Sequence, residues 1–292
     1  MSAKPPLVVL AAGRARRYGG VKPLAPVGPN GEAVIDLLAS DALAAGFGTL
    51  VLVIGPATGP AIRYHVQHAW PSSVDVRFAV QDVPLGTVHA TLAAVPHLPD
   101  GAPFAVANAD DLYGEAGLAQ LATHLADHGS NSLVAYRLRN AVVGDAPVTR
   151  GVCRVGDDDT LQSVDERRQV CAVGDGRFVA KDGRTPEELD GDELVSMNLW
   201  GFGADMRPVF HAAMGHRSVG GRRGAAARTG RPAARRRPPR RAVGGAVPGA
   251  PGRRPLHRGH PPRRPRPGAG RPGRPGRPRG TAGPTVGMTQ WR

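Results

Sequence analysis

The chain has 292 residues, with 38 Lys and Arg against 24 Asp and Glu, a formal net charge of +14 that by itself suggests a polyanionic partner. That average joins two unlike parts: every acidic residue lies at or before Asp205, and 21 arginines with no lysine fall between Gly215 and Arg292, leaving 17 basic against 24 acidic residues before them, a net −7 ordinary for an enzyme. No apolar run approaches the roughly 18 to 20 residues of a spanning helix and no signal-peptide stretch precedes Leu7, while Cys153 and Cys171 are too few and wrongly spaced for zinc, so a membrane protein and a zinc site are set aside in favour of a cytoplasmic chain with reduced thiols.

In chain order, Leu7 to Leu10 reads as a buried strand. It runs into Ala11, Ala12, Gly13 and Ala15, whose small side chains let backbone N–H groups approach an anion. Arg14, Arg16, Arg17 and Lys22 add positive charge to the same turn. A strand followed by a solvated basic loop fits these residues as well. The spacing then predicts a helix over Val34 to Ala45 ending at Gly46, a strand over Thr49 to Ile54, and a helix over Gly59 to Ala69. Val74 to Val80 alternates as a strand, Thr87 to Ala94 forms a short helix, Phe104 to Ala107 a buried strand, Gly117 to His128 a helix, and Ser132 to Leu138 a strand. Beyond Gly144 the pattern is strand-rich and irregular, as suits a smaller substrate-covering part. Such alternation predicts an α/β fold with a doubly wound, mainly parallel sheet that binds its ligand at the carboxyl ends of the strands.

Asn108-Ala109-Asp110-Asp111-Leu112-Tyr113-Gly114 follows the strand that ends at Ala107. Two adjacent carboxylates there need compensation, either from a hard divalent cation such as Mg²⁺ or from the N-terminus of the next helix. Gln81-Asp82-Val83-Pro84-Leu85-Gly86-Thr87 precedes a helix, and an amide at Gln81 offers both a donor and an acceptor. His89 reads as a helix-face residue, because an acceptor phosphate is already an anion and needs no base.

LVVLAAGRARRYGGVKPL closely resembles the opening signature of the sugar-phosphate nucleotidyltransferases, with Leu10, Ala11, Ala12, Gly13, Arg17, Lys22, Pro23 and Leu24 in register and Ala15 replacing its second glycine. NADDLYG resembles the NADDFYG form of the metal motif in one subfamily, Gln81 to Ala90 the base-reading segment, and Gly28 to Glu32 a GPNGE turn. The resemblance, to glucose-1-phosphate thymidylyl- and uridylyltransferase-like enzymes, implies a Rossmann-like nucleotidyltransferase fold. It implies Mg²⁺-dependent union of a nucleoside triphosphate with a sugar 1-phosphate, giving a nucleotide sugar and pyrophosphate. By the same resemblance, Leu10, Ala11, Ala12 and Gly13 wrap the triphosphate, and Arg17 and Lys22 stabilise its phosphates and the leaving group. Gln81, Gly86 and Thr87 contact the nucleotide, and Asp110 and Asp111 hold the metal. Gly151, Glu166, Arg167 and Asn198 hold the sugar phosphate, Arg167 standing where relatives often carry a phosphate-binding lysine.

Resemblance covers about Lys4 to Met214, residues 1–214 forming the nucleotidyltransferase domain, and then stops. Relatives continue with a helical segment and a strand bearing a second metal-binding aspartate, whereas residues 215–292 are Arg, Pro, Gly and Ala. That composition reads as a disordered tail from a shifted frame in a GC-rich gene. A nucleic-acid-binding arm and a polyanion or membrane-surface tether are the alternatives. Loss of the late strand is expected to leave apolar surface uncovered near Trp200, Phe202 and Phe210. Besides the sugar-phosphate reaction, two other functions fit: transfer to a different phosphorylated acceptor, and a catalytically incompetent relative that binds nucleotide or RNA.

Overall fold

A computed structural model describes residues 3–13, 19–214 and the backbone of 287–290. Four strands, β1 (Leu7–Leu10), β2 (Leu50–Ile54), β3 (Val76–Val80) and β4 (Phe104–Asn108), pair in parallel in the spatial order β3-β2-β1-β4. The apolar runs of β1, β2 and β4 are continuous because both of their faces are covered, whereas the edge strand β3 is only partly buried and alternates. Leu7, Val9, Leu50, Leu52, Ala105 and Ala107 pack with Ile35 and Leu38 of α1 (Val34–Ala44), Ile62 and Val66 of α2 (Gly59–Ala69) and Leu118, Leu121 and Leu125 of α4 (Glu115–Asp127). Val8, Val51, Val53, Ala79 and Val106 turn the other way, onto Ala90 and Ala94 of α3 (Thr87–Ala94) and onto Phe202, Met206 and Phe210. The period-2 alternation of each strand thus feeds two cores, the doubly wound α/β arrangement.

Boundaries follow local chemistry. Gly46 at φ +102° ends α1, and the N–H of Phe47 returns to the Ala42 carbonyl at 3.1 Å. Asp36 accepts the Ala33 N–H at 2.9 Å and closes the start of the same helix. The third strand begins at Val76 rather than Val74, because the Val74 N–H closes a turn onto Pro71 at 3.1 Å.

The remaining strands are antiparallel: β5 (Ser132–Arg137), β6 (Val148–Val155), β7 (Leu161–Gly174), β8 (Arg177–Ala180), β9 (Glu188–Asp190) and β10 (Leu194–Phe202), with the short α5 (Leu138–Ala141) after β5. β10 pairs with β4, β5 and β6 and so joins this part to the parallel strands. Residues 206–214 are helical. Phe202 and Phe210, expected to be uncovered, are buried instead, with ring centroids 5.6 and 6.4 Å from that of Phe104. The helix over 206–214 supplies the cover that the sequence reading assigned to a later strand.

Within the tail, β11 (Gly287–Gln290) pairs antiparallel with β5. β5 is otherwise an edge, whose unpaired backbone groups accept an extended segment. Residues 215–286 and 291–292 lie outside the described residues, as do 14–18 in the basic loop. Among the described residues no helix is long and apolar enough to cross a membrane. Both cysteines are free thiols, and burial pushes that of Cys153 up to about 11.

Candidate active site

Two cavities open beside the carboxyl end of β4. One, of about 370 Å³, is bounded by Leu10, Ala12 and Gly13 after β1, by Gln81, Gly86 and Thr87 at the start of α3, and by Asn108 and Asp110. Gly86 caps α3 at φ +101°, a conformation that favours glycine, and turns the first N–H groups of that helix free of its own backbone. The buried Gln81 side chain donates through Nε2 to the Gly86 carbonyl at 3.2 Å and lies 3.1 Å from His89 Nδ1. His89, read as a helix-face residue, therefore helps fix the amide.

Ala11 departs from its expected place. Its side chain is in the core, its N–H donates to Val53 O at 2.8 Å, and its carbonyl accepts the Thr58 hydroxyl at 2.8 Å. The Ala11 N–H, the group an anion would take, is thus already used, and of the small residues expected to wrap the phosphates Ala12 and Gly13 line the cavity while Ala11 does not. Period-2 alternation carried one residue past β1 explains this. Arg17 lies among residues 14–18, outside the described residues.

The second cavity, of about 310 Å³, is bounded by Asn108, Asp111, Thr149, Arg150, Gly151, Val164, Glu166, Ser196, Met197, Asn198 and Trp200. Asn108 borders both, and the adjacent carboxylates divide between them, Asp110 on one side and Asp111 on the other. Asp110 accepts a hydrogen bond from Lys22 Nζ at 2.8 Å, bringing together two residues 88 positions apart. Asp111 accepts from Asn108 Nδ2 at 2.9 Å. Burial holds the Asp111 carboxyl above the usual aspartate range and Asp110 adds to this, while Asn108, Lys22 and Arg150 oppose it. Two adjacent, half-buried carboxylates offer the hard oxygen ligands that suit a divalent cation. Among the described residues no three His, Cys, Asp or Glu side chains group into a fuller cage.

Arg167 is the clearest correction. Its guanidinium binds both oxygens of Asp182, Nε at 2.9 Å and Nη2 at 3.1 Å, and Nη2 also donates to the carbonyls of Arg184 and Pro186 at 3.1 and 2.7 Å. Both partners are nearly inaccessible, 6% and 4% exposed, and the Arg167 hydrogen bond is the main reason that the Asp182 carboxyl sits far below its usual range. Arg167 lines a separate cavity with Arg154, Asp165 and Arg184, while its neighbour Glu166 lines the cavity of Asp111. Successive strand residues face opposite sides, and one position decides between a cleft residue and a structural ion pair.

The cation that sequence reasoning missed is Arg150, directly across the β6–β7 ladder from Arg167. It donates to the Ala141 carbonyl from Nε at 3.0 Å and Nη2 at 2.6 Å, and Nη1 bonds Thr149 O at 2.8 Å. Its position just before Gly151 was the available signal. A Cβ at Gly151 would sit 2.6 Å from Val164 Cγ1, so glycine here permits close packing of the cavity wall.

MobA-like NTP transferase is the domain family that matches, over residues 7–223. The chain belongs to that family. It is therefore a nucleotidyltransferase by descent, with an α/β fold as its sequence predicts. The bifunctional protein GlmU of Aromatoleum aromaticum is 36% identical over 97 residues, 32% of this chain and 20% of GlmU. The chain thus spans about a fifth of that curated relative. Among solved structures, HddC from Yersinia pseudotuberculosis, crystallised with GMP-PN, is similar at 19% identity and a TM-score of 0.48, over 70% of this chain and 78% of HddC.

Proposed function

We propose that this MobA-like NTP transferase joins a nucleoside triphosphate to a sugar 1-phosphate and releases pyrophosphate. The observation that carries the reading is the division of Asp110 and Asp111 between two cavities that share Asn108 as a wall. The triphosphate occupies the side of Ala12, Gly13 and Gly86, and the acceptor phosphate the side of Gly151, Glu166 and Asn198. An oxygen of the acceptor phosphate attacks the α-phosphorus in line, the new P–O bond forms, and the α–β anhydride bond breaks with its electrons leaving on pyrophosphate. Lys22 neutralises the charge that builds on the phosphates, and Arg17 in the same loop is assigned to the leaving group. Asp110 and Asp111 would hold Mg²⁺, which supplies a hard positive charge shared with the phosphate oxygens.

Glu166 accepts sugar hydroxyls, and Asn198 offers a donor and an acceptor beside it. With both Nε2 hydrogens of Gln81 directed to Gly86 and His89, its Oε1 is left to accept the imide N–H of uracil or thymine. We assign the enzyme to the cytoplasm, and residues 215–292 to a frame-shifted tail on the 1–214 domain. DNA around the Met214 codon that encodes no helix and acidic strand in any frame would remove the frame-shift reading.

Pyrophosphate release by the full chain tests the function, with nucleoside triphosphates and sugar 1-phosphates varied in turn. Release should require both substrates and a divalent cation, and should stop on chelation. Release only with an alcohol phosphate would move the acceptor to the non-sugar class. Nucleotide binding with no release under any pairing would identify a catalytically incompetent relative.

A further inference from the structure

Tyr113 is part of the NADDLYG segment, yet the phosphate chemistry leaves it without a task. Its ring is 3% exposed and its hydroxyl joins two strands: it accepts the Asn108 N–H of β4 at 2.8 Å and donates to the Met197 carbonyl of β10 at 3.0 Å. The β4–β10 ladder runs from Phe104 opposite Phe202 to Val106 opposite Trp200, and continuing it would set Asn108 opposite Asn198. That rung is missing. On its other edge β10 slips against β5 between Ser196 and Trp200, where four positions of β10 pass two of β5. Asn198 sits in this bulge at φ +64°, and its N–H turns back to Ser196 Oγ at 3.1 Å. The phenol oxygen fills the gap with one hydrogen given and one received, satisfying two backbone groups that the opened ladder would leave unpaired.

Tyr113 is itself fixed from behind. Its carbonyl accepts the Tyr136 hydroxyl at 2.9 Å. Gly117 of α4 leaves room for that hydroxyl, since a Cβ there would lie 2.6 Å from it. The opened rung separates Asn108 and Asp111 from Met197 and Asn198, which are the facing walls of the second cavity.

We propose that Tyr113 is a positioning residue for the acceptor: its hydroxyl replaces the missing β4–β10 rung and holds the Asn198 bulge at the distance from Asp111 that admits the acceptor phosphate. The role rests on the transferase reading given above. It does not make Tyr113 a catalytic residue, because the phenol faces two backbone groups and no reacting atom.

The test is Tyr113→Phe in the full-length chain, which keeps the ring and removes the oxygen. Steady-state pyrophosphate release should show the acceptor KM raised at least tenfold and the nucleotide KM within about twofold of the parent. Amide hydrogen exchange should quicken at Asn108 and Asn198 while Val106 keeps its protection. Tyr136→Phe, which leaves the bridging hydroxyl in place, should lose stability but keep its acceptor KM within about twofold, and so separates positioning from general loosening. An active parent beside a Tyr113→Phe variant with unchanged acceptor KM, or with both KM values raised alike, would overturn the role of Tyr113. A parent inactive with every acceptor would overturn the transferase reading, and unaltered exchange at Asn108 and Asn198 would overturn the positioning role whether or not the parent turns over.

Discussion

The parallel and antiparallel halves of the sheet divide structural and cavity-facing residues in different ways. In β1, β2 and β4 the strand interiors are core on both faces, and the groups that border the first cavity cluster at and just after the strand ends, at Ala12, Gly13, Gln81 and Asp110. In β6 and β7, residues of different roles follow one another along the same strand, as at Glu166, which borders the cavity of Asp111, and Arg167, which is held in a nearly inaccessible ion pair. In the first half chemistry is separated from packing by chain position. In the second it is separated only by the face of the pleat, where a shift of one residue exchanges the two.

Changes beside the carboxyl end of β4, where the two cavities meet, should have the largest effect. Asp110→Asn should reduce turnover on the order of a thousandfold, because the carboxylate assigned to hold the divalent cation against the phosphates would be lost. The Lys22–Asp110 pair is 43% and 34% exposed, so its loss should change stability by no more than about 1 kcal/mol. Lys22→Ala should cost turnover on the order of a hundredfold, with the nucleotide KM rising. Calorimetric melting alongside pyrophosphate release checks both, and a large loss of melting temperature with retained turnover would mark the pair as structural.

A narrower comparison sets Glu166 against Arg167. Glu166→Gln should lower kcat/KM for the acceptor roughly tenfold, as expected for loss of one hydrogen bond to a charged group, with an unchanged melting temperature. Arg167→Leu should do the reverse. It strips Asp182 of its principal partner and frees the Arg184 and Pro186 carbonyls, so melting should fall while the acceptor KM holds. If Arg167→Leu instead raises the acceptor KM in a stably folded protein, Arg167 belongs to the site after all.

The same contrast explains what could be read in advance. The helices over Gly59 to Ala69 and Thr87 to Ala94 begin and end where their periodicity places them, and the Gln81 and Asp110 segments meet at one cavity because parallel strands deliver their ends to one edge. Ala11 was misplaced by a single step of alternation, since a motif of small residues does not say which of them faces inward. Arg150 and Arg167 could not be told apart, because as cross-strand partners they share a face of the ladder and differ only in what each guanidinium meets, the Ala141 and Thr149 carbonyls for one and the distant Asp182 for the other. Tyr113 was quoted within its motif without a role, since the rung it replaces exists only once β10, from much later in the chain, has bulged.

The smallest effect separates the halves by pH. His124 on α4 is 3% exposed and bonds Ser130 Oγ at 3.0 Å, and burial, with the charge of His128, holds its imidazole below the usual value of 6.5. A histidine whose folded pKa is depressed stabilises the protein above its unfolded pKa and loses that contribution as pH falls through the folded value. Asp182 is also depressed, from an ordinary value of 3.8, so by the same rule its contribution disappears only at lower pH. Melting temperature should therefore fall in two stages on acidification, the first below about 6.5 from His124. His124→Gln retains a polar partner for Ser130 and cannot become charged, so it should flatten the first stage, a change on the order of a few degrees, and leave the second. Melting curves across that range decide the matter: a first stage that persists in His124→Gln would assign the acid sensitivity to a different group.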